Sequence, residues 1–302
     1  MIWILILVLA HFFYAIVFIV DKYIISKPMP SPIVYAFWVG VLGIFILILI
    51  PLGTVIPGLD FTMPSKSEVF WSLIAGVAQI VAFVFFYKAL NRGEVSRIVP
   101  FVGAMTSVFV LILSSLIIKE FLTNQQIIAF VLLVLGSFVI GFKRKHLSES
   151  NTWGLAIGAA FLFAFFWVTT KYLFLGTNFV SGLVWVRTGV AIIALTLLLS
   201  KKNRELIFSK TKEAKPKTTG FFMLSRVLNA VGSLFLYFAV FLGSSVSLTN
   251  AFNGLQYVFV LIIALLLFKK IPSLKEHFGR EVVLQKIIAI LLICVGLGLL
   301  VI

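Results

Sequence analysis

The chain has 302 residues, of which 62% are hydrophobic and only 12% are charged, about half the charged share of an ordinary soluble domain. Such a chain cannot cover a water-facing surface, so it must be solvated by lipid, and a basic nucleic-acid-binding module is excluded despite the net charge of +15. A single cysteine, Cys294, excludes an intrachain disulfide and a cysteine-based metal site.

Ten apolar runs are long enough to cross a bilayer, which takes about 20 mainly apolar residues per helix. The first run lacks a basic start and a small-residue cleavage site, so it is interpreted as a spanning helix rather than a signal peptide. The pattern predicts an all-α membrane protein with ten transmembrane helices. In chain order the predicted spans cover residues 2–21, 32–52, 69–90, 95–118, 124–142, 152–174, 179–200, 219–241, 245–268 and 284–302.

Basic residues are distributed unevenly among the connections. Counted with the adjoining span ends, connections after odd-numbered spans carry 20 of the 25 lysines and arginines. Connections after even-numbered spans carry only Lys66, Lys119 and Lys171. Because short cytoplasmic loops are enriched in Lys and Arg, the bias predicts a multi-pass protein of the cell membrane. Its odd-numbered loops would be cytoplasmic and both termini outside.

The sequence also shows internal similarity between its two halves. A shift of 150 residues aligns residues 85–119 with residues 235–269, and both segments contain VFVLI at the same place. A shift of 160 places Gly136 on Gly296. The shared order of such matches indicates two repeats of about 150 residues.

An odd number of spans per repeat requires the second copy to be inverted relative to the first. The basic residues agree, because each copy carries them in the loops that its own orientation would place in the cytoplasm. We therefore predict two inverted five-helix repeats, residues 1–147 and 148–302. Inverted repeats are common in secondary transporters, where two halves exchange conformations around a central site.

Residues 93–140 (GEVSRIVPFVGAMTSVFVLILSSLIIKEFLTNQQIIAFVLLVLGSFVI) and their degenerate second copy, residues 243–302, resemble the drug/metabolite transporter superfamily, in particular its EamA-type members. In that family the fourth span of a copy typically ends in a glutamate, followed by a polar turn and a glycine-containing fifth span. Glu120 and Gly136 fit this pattern. Lys270 replaces the glutamate in the second copy, so Glu120 could simply cap or anchor the turn.

The resemblance implies a secondary active transporter that moves a small metabolite by alternating access, with export as the expected direction. It implies no cofactor and no metal. The expected partners are a small-molecule solute and membrane lipid, and the working unit is a monomer or a homodimer. The family moves very different solutes, so the resemblance does not name one.

Two arginines lie inside predicted spans, where a charge is costly and usually faces the bundle interior or a water-filled cavity. Arg187 and Arg226 have Gly40 and Gly76 as repeat counterparts, so the fold itself does not require a charge at either position. Arg187 also resembles an arginine common early in the second span of EamA-type copies. The alternatives are a structural arginine bonded to helix-end carbonyls for Arg187 and a snorkelling side chain for Arg226. The spans contain arginines rather than carboxylates, which favours an anionic or zwitterionic solute that meets Arg187.

Other candidate solute-binding residues are polar or aromatic side chains within the spans. Helix–helix hydrogen bonding is the alternative for the polar groups, and interfacial anchoring is the alternative for the tryptophans. For the histidine, a proton relay is weighed against an ordinary hydrogen-bonded residue. The set comprises Gln79 and Asn229, the stripe Asn250, Asn253, Gln256 and Tyr257, the pair His11 and Tyr14, and Trp38 and Trp167.

Two other functions were weighed. An intramembrane enzyme would need a convergent nucleophile, carboxylate pair or metal ligand set, and the sequence has no HExxH, paired aspartates or GxSxG. We therefore expect no enzymatic activity. A flippase for a lipid or lipid-linked phosphate is the closer alternative, because Arg187 and Arg226 could hold a phosphate headgroup.

Overall fold

The computed structural model describes residues 2–24, 31–53, 60–92, 95–141, 150–211, 216–243, 245–267 and 280–301. Every regular element in these ranges is helical. Short 3₁₀ segments, Leu42–Ile48 and Leu197–Leu199, follow α2 and α8. The α-helices are α1 (Ile2–Ile24), α2 (Pro32–Val41), α3 (Leu49–Gly53), α4 (Lys66–Arg92), α5 (Val95–Ile117), α6 (Asn124–Gly141), α7 (Ser150–Gly176), α8 (Phe179–Thr196), α9 (Lys201–Thr211), α10 (Pro216–Leu242), α11 (Val246–Ala251), α12 (Asn253–Leu267) and α13 (Arg280–Val301).

Eight helical segments within the described ranges are long and apolar enough to cross a membrane. They coincide with predicted spans one to four and six to nine. Two shorter apolar stretches, Asn124–Val139 and Leu284–Leu300, coincide with predicted spans five and ten. The all-helical membrane class is therefore confirmed, and the count of ten spans stays a prediction.

The outer helices carry large apolar side chains on their exposed faces. A water-soluble fold would bury such residues, whereas lipid tails solvate them. The exposed set on α6 and α13 repeats every three to four residues, so one face of each helix points outward. It comprises Ile127, Ile128, Val131 and Leu135 on α6, and Ile287, Ile288, Leu291 and Val295 on α13.

Helices α6 and α13 contact each other through equivalent residues. Gln125 Nε2 donates to the Leu299 carbonyl at 2.6 Å, and Gln285 Nε2 donates to the Val139 carbonyl. The two glutamines are 160 residues apart, and so are the two carbonyls, which is the shift found in the sequence. Residue numbers rise along one helix as they fall along the other, so the helices run antiparallel. This is the contact expected of two inverted repeats.

Glycines make the same reciprocal contact possible. A Cβ on Gly136 would lie 2.6 Å from Ile293, and a Cβ on Gly296 would lie 3.0 Å from Leu133. Two further helix pairs have the same relation. Helix α1 packs along α10, and α4 packs along α7, so the first and third spans of one half each meet the third and first spans of the other.

A close helix crossing joins α4 and α8 and also depends on glycine. A Cβ on Gly76 would lie 2.5 Å from the Gly189 carbonyl oxygen, and a Cβ on Gly189 would collide with the Ser72 carbonyl oxygen. Small residues let helix backbones approach closely in membranes, where dispersion forces replace the hydrophobic effect as the source of stability. This crossing holds α8, and with it Arg187, against α4.

The ninth predicted span is broken at Phe252, between α11 and α12. The Ser107 hydroxyl donates to the Asn250 carbonyl at 2.8 Å, and Asn250 Nδ2 donates back to the Val246 carbonyl at 3.0 Å. Side-chain donors that occupy helix carbonyls bend a helix. By contrast, α5 continues through Pro100 as one helix.

Candidate functional site

Aromatic and hydroxyl side chains from α1, α7 and α10 meet in the interior of the bundle. Tyr14 Oη donates to Ser233 Oγ at 3.1 Å, and the Trp167 and Tyr237 rings lie 5.3 Å apart. Tyr14 is close enough to both Tyr237 and Arg187 to interact with them electrostatically. The structure thus brings together three candidates from the sequence, Tyr14, Trp167 and Arg187, which lie far apart in the chain.

Arg187 lies against the tightly wound part of the second span. Its Nη2 donates to the Val39 carbonyl at 3.4 Å, and a Cβ on Gly43 would lie 2.8 Å from its Cζ. Hydrogen-bond geometry is poorer in 3₁₀ winding, so an arginine donor beside that segment is favourable. Charge-assisted bonds are usually about 2.7–2.9 Å long, so this single contact is weak. No carboxylate of the described residues pairs with Arg187.

Arg226 lies among aromatic rings of α2 and α4. Its Cζ is 5.9 Å from the centroid of the Tyr35 ring, and its Nη2 donates to Ser225 Oγ at 3.0 Å. The Tyr35 and Tyr87 rings are 4.2 Å apart. A cation over an aromatic face is stabilised by the ring quadrupole. This contact explains how the charge is accommodated, and a role in solute binding stays a prediction.

The predicted amides and histidine differ in burial. Gln79 is 7% exposed, and its Oε1 has no hydrogen-bond partner among the described residues. Asn229 is half-buried. His11 is 1% exposed, its ring meets Tyr14 edge-on at 6.2 Å, and neither ring nitrogen bonds to a described group. The expected ordinary hydrogen bond of His11 is therefore not found within the described part of the chain.

The polar stripe of the ninth span faces α5. A Cβ on Gly103 would lie 3.7 Å from Asn253 Cβ and 3.3 Å from Tyr257 Oη. Asn250 is buried and bonds within its own helix, and Gln256 is half-buried. Packing against the facing helix, one of the two interpretations of this stripe, accounts for Asn253 and Tyr257.

The two candidate tryptophans lie in different places. Trp167 belongs to the interior cluster with Tyr237. Trp38 packs edge-on against Phe37 at 5.3 Å and beside Ile207 of the connecting helix α9. Trp38 therefore lies in the hydrophobic contact between α2 and α9.

A separate polar cluster surrounds the turn between α10 and α11, and Glu120 is its acidic member. Glu120 Oε1 accepts from Ser245 Oγ at 2.6 Å, from Ser247 Oγ at 3.0 Å and from Ser247 N at 3.2 Å. Its Oε2 accepts from Val246 N at 3.0 Å. A helix start leaves backbone N–H groups unsatisfied and favours negative charge. Glu120 therefore anchors the start of α11, one of the roles expected for it.

Lys171 is the basic member of this cluster. Its Nζ donates to the carbonyls of Val240 at 2.9 Å, Phe241 at 3.4 Å and Gly243 at 2.7 Å. These carbonyls end α10, where unsatisfied oxygens favour a cation. Lys171 is only 5% exposed, although its place near a span end suggests an ordinary loop charge.

Part of the chain matches a known protein family. Residues 1–142 match the family model of the EamA-like transporter family. This part of the chain is similar to that family. It comprises α1 to α6 and includes Glu120, so the predicted resemblance is confirmed here, and the family is one of membrane transporters of small molecules.

The fold extends beyond the EamA-like segment. A solved structure titled "Crystal structure of protein" covers 98% of this chain and 96% of its own at a TM-score of 0.66 and 16% identity. At that identity the likeness shows a shared fold over the whole chain. In all, 26 chains of solved structures match, and no curated protein matches in sequence.

Three members of these clusters were missed by sequence reasoning. Tyr237 and Ser233 were not selected, although Tyr237 is the repeat counterpart of Tyr87. Lys171 was counted as a connection charge, although Lys22-Tyr23 recurs as Lys171-Tyr172 in the second copy. The counterpart of Glu120, Lys270, lies outside the described residues.

The EamA-like segment contains one backbone feature that aims Glu120 at its partners. Lys119 has a φ of 53°, the left-handed conformation that glycine adopts easily, and Glu120 N bonds back to the Ser114 carbonyl at 3.2 Å. Helices often end in this way, with glycine at the left-handed position. The reversal turns the chain toward α11.

We expect Lys119→Gly to stabilise the protein by about 0.5–1 kcal/mol, because it removes the steric cost of a left-handed lysine. Thermal unfolding in detergent measures the change. Lys119→Ala is the matched control, since it removes the same charge but keeps Cβ. If the glycine and alanine variants unfold at the same temperature, the left-handed conformation carries no cost.

Proposed function

We propose that the chain is a secondary active transporter for a small anionic or zwitterionic metabolite. Two inverted five-helix repeats, residues 1–147 and 148–302, move the solute by alternating access. The family of residues 1–142 supports the transporter class. The antiparallel contact of α6 and α13 through equivalent glutamines supports the inverted repeat.

The preference for an anionic solute rests on the small number of hydrogen bonds that the Arg187 guanidinium makes to the described residues. The guanidinium lies against Gly43 of the second span, and its one hydrogen bond to the described residues is a long contact with the Val39 carbonyl. A guanidinium has five N–H donors, so most of them are available to a ligand. A carboxylate or phosphate fits this geometry bidentately and offsets the cost of a charge at this depth.

The surrounding side chains suit the rest of such a solute. Trp167 and Tyr237 provide apolar ring surface, and the Tyr14–Ser233 pair provides hydroxyl groups. Tyr237 and Arg187 each interact electrostatically with Tyr14, and the repeat counterpart Tyr87 packs against the Tyr35 ring that Arg226 covers. The repeat-related Tyr237 and Tyr87 thus each lie beside a tyrosine that interacts with an arginine, as expected for a site between two related halves.

The proposed orientation follows the charge bias. Odd-numbered loops would be cytoplasmic, including the connection that contains α9, whose Ile207 packs under the start of α2. The turn between α10 and α11 would then lie at the outer end of the bundle. Export stays the expected direction.

A thermal-stability screen of the purified protein tests the proposal. The compounds are amino acids, organic acids, nucleotide-sugars and polyprenyl phosphates. A ligand that binds only the folded state stabilises it by about 2.7 kcal/mol at a hundredfold excess over its Kd. We expect a soluble anionic compound to raise the midpoint of the parent protein. The shift should disappear in Arg187→Gln and persist in Arg204→Gln, the matched control on exposed α9.

The possible results separate the candidate roles. A shift that persists in Arg187→Gln would keep a solute site and reject Arg187 as its anion contact. A shift with polyprenyl phosphates alone would replace the metabolite carrier by a lipid-phosphate flippase. No shift with any compound would count against the anionic preference.

A further inference from the structure

We infer that Glu120 and Lys171 form an electrostatic latch that holds the α10–α11 turn closed over the interior and must release it for a solute to pass at this end. The inference rests on the proposed alternating-access function. It concerns residues outside the interior cluster with Arg187, and it identifies a gate.

The latch holds one short turn from two sides. Glu120, three residues after the end of α5, satisfies the start of α11 through four hydrogen bonds. Lys171, on α7, satisfies the end of α10 through three. Each charge has the sign that its helix end favours. The turn is therefore fixed to α7 and to the segment after α5 by charge-assisted bonds, in addition to its own backbone bond from Gly243 N to the Ala239 carbonyl.

The latch also joins the two halves of the chain. Glu120 belongs to the first predicted repeat, whereas Lys171 and the turn belong to the second. A second contact between the halves adds to it, because Ser114 Oγ lies 2.8 Å from Ser247 Oγ. Movement of one half against the other must stretch the bonds of Glu120 and the Ser114–Ser247 contact. Packed side chains without such bonds could slide at smaller cost.

This end of the bundle is closed in the structure. Lys171 is 5% exposed, Ser245 is 3% exposed and Ser247 is fully buried. At the same ends of α7 and α10, Phe174 meets Tyr237 edge-on at 6.4 Å and Phe241 edge-on at 5.7 Å. These rings pack the two helix ends together beside the turn, so we infer that a solute leaves by this end only after the turn moves.

Once the turn moves, water can replace the hydrogen bonds of the latch. At a membrane surface, water can hydrate the carboxylate, the ammonium group and both helix ends. The net strength of such bonds is therefore modest compared with their strength in a dry interior. The latch thus provides a barrier that thermal motion and solute binding can overcome.

Cysteine labelling tests the latch without a solute. In a Cys294→Ser background, Thr249→Cys places one thiol a turn inside the latch, at a position that is 1% exposed. The threonine hydroxyl bonds only to its own helix, at the Ser245 carbonyl, so the exchange is mild. We expect Glu120→Gln and Lys171→Met each to raise the maleimide labelling rate of detergent-solubilised protein about tenfold, because a bond to a charged group is lost.

Lys119→Gln is the matched control, since it removes an exposed charge beside Glu120 and should label at the parent rate. Labelling is compared below the unfolding midpoint of each variant, with size-exclusion profiles as the check of folding. Parent-like labelling of both folded latch variants overturns the inference.

A disulfide pair provides a second test that does not depend on Lys171→Met being stable. Ser114→Cys with Ser247→Cys, in the Cys294→Ser background, places two sulfurs where hydroxyls now touch. The exchange removes the Ser247 hydroxyl bond to Glu120 and keeps the other three Glu120 bonds. We expect fast crosslinking by a mild oxidant in the parent and about tenfold slower crosslinking in Glu120→Gln. Equal rates in both backgrounds overturn the latch. If the latch tests succeed and no solute binds in the screen, the latch stands and the anionic preference of the proposed function fails.

Discussion

Lys171→Met is expected to lower the free energy of unfolding by about 2–4 kcal/mol, because it leaves three carbonyls, two of them in buried hydrogen bonds, without their donor. Hydrogen bonds between neutral side chains in membranes are usually worth only about 0.6 kcal/mol. The larger value follows from the charge of the ammonium group, its three acceptors and its burial. Methionine keeps the length of the apolar stem, so the loss reports the ammonium group rather than packing.

Unfolding in mixed micelles, with denaturing detergent as the variable, measures this loss. Lys66→Met is the control, because Lys66 is an exposed lysine at the start of α4 and its removal should change stability by less than about 0.5 kcal/mol. Similar stability of the two variants would show that water or another donor replaces the ammonium group.

Gly189→Val is expected to destabilise the protein by about 3 kcal/mol, or to prevent its folding. Even the first carbon of a side chain at this position would overlap the Ser72 carbonyl oxygen, which belongs to the backbone of α4 and cannot rotate away. Helices α4 and α8 must then separate, and Gly76 loses its contact with α8 as well.

Gly154→Val is the matched control, because a Cβ on Gly154 meets no described atom within 4 Å. The same change of residue there should be nearly neutral. Yield of folded protein, size-exclusion profile and midpoint of thermal unfolding are the measurements. A folded Gly189→Val protein as stable as Gly154→Val would mean that the α4–α8 crossing is looser than the structure shows.

Apolar composition, run length and repeat spacing were enough to predict much of the fold. The shift of 160 residues that places Gly136 on Gly296 also relates Gln125 to Gln285, whose side chains make equivalent bonds between α6 and α13. These features are readable because a bilayer of fixed thickness demands long apolar runs. A duplicated chain also keeps its spacing where helices pack closely.

Candidate residues were harder to place than spans. Arg187, Tyr14 and Trp167 do come together in the interior, but Trp38 packs against α9 and the stripe with Tyr257 faces α5. In a soluble helix, hydrophobic periodicity shows which face is buried. In a membrane, the lipid and the protein interior are both apolar. The sequence therefore shows less clearly which face of a helix points toward the interior.

The sequence by itself determined the membrane class, the approximate positions of the apolar spans and the uneven distribution of basic residues among the connections, while the two repeats stay a prediction. Only the tertiary structure decided which polar groups meet. Lys171 looks like a loop charge until α7 is placed beside the end of α10, and the role of Glu120 depends on the start of α11, which lies 126 residues later. The physical reason is that a helix end offers its unsatisfied groups to whichever side chain the packing brings near.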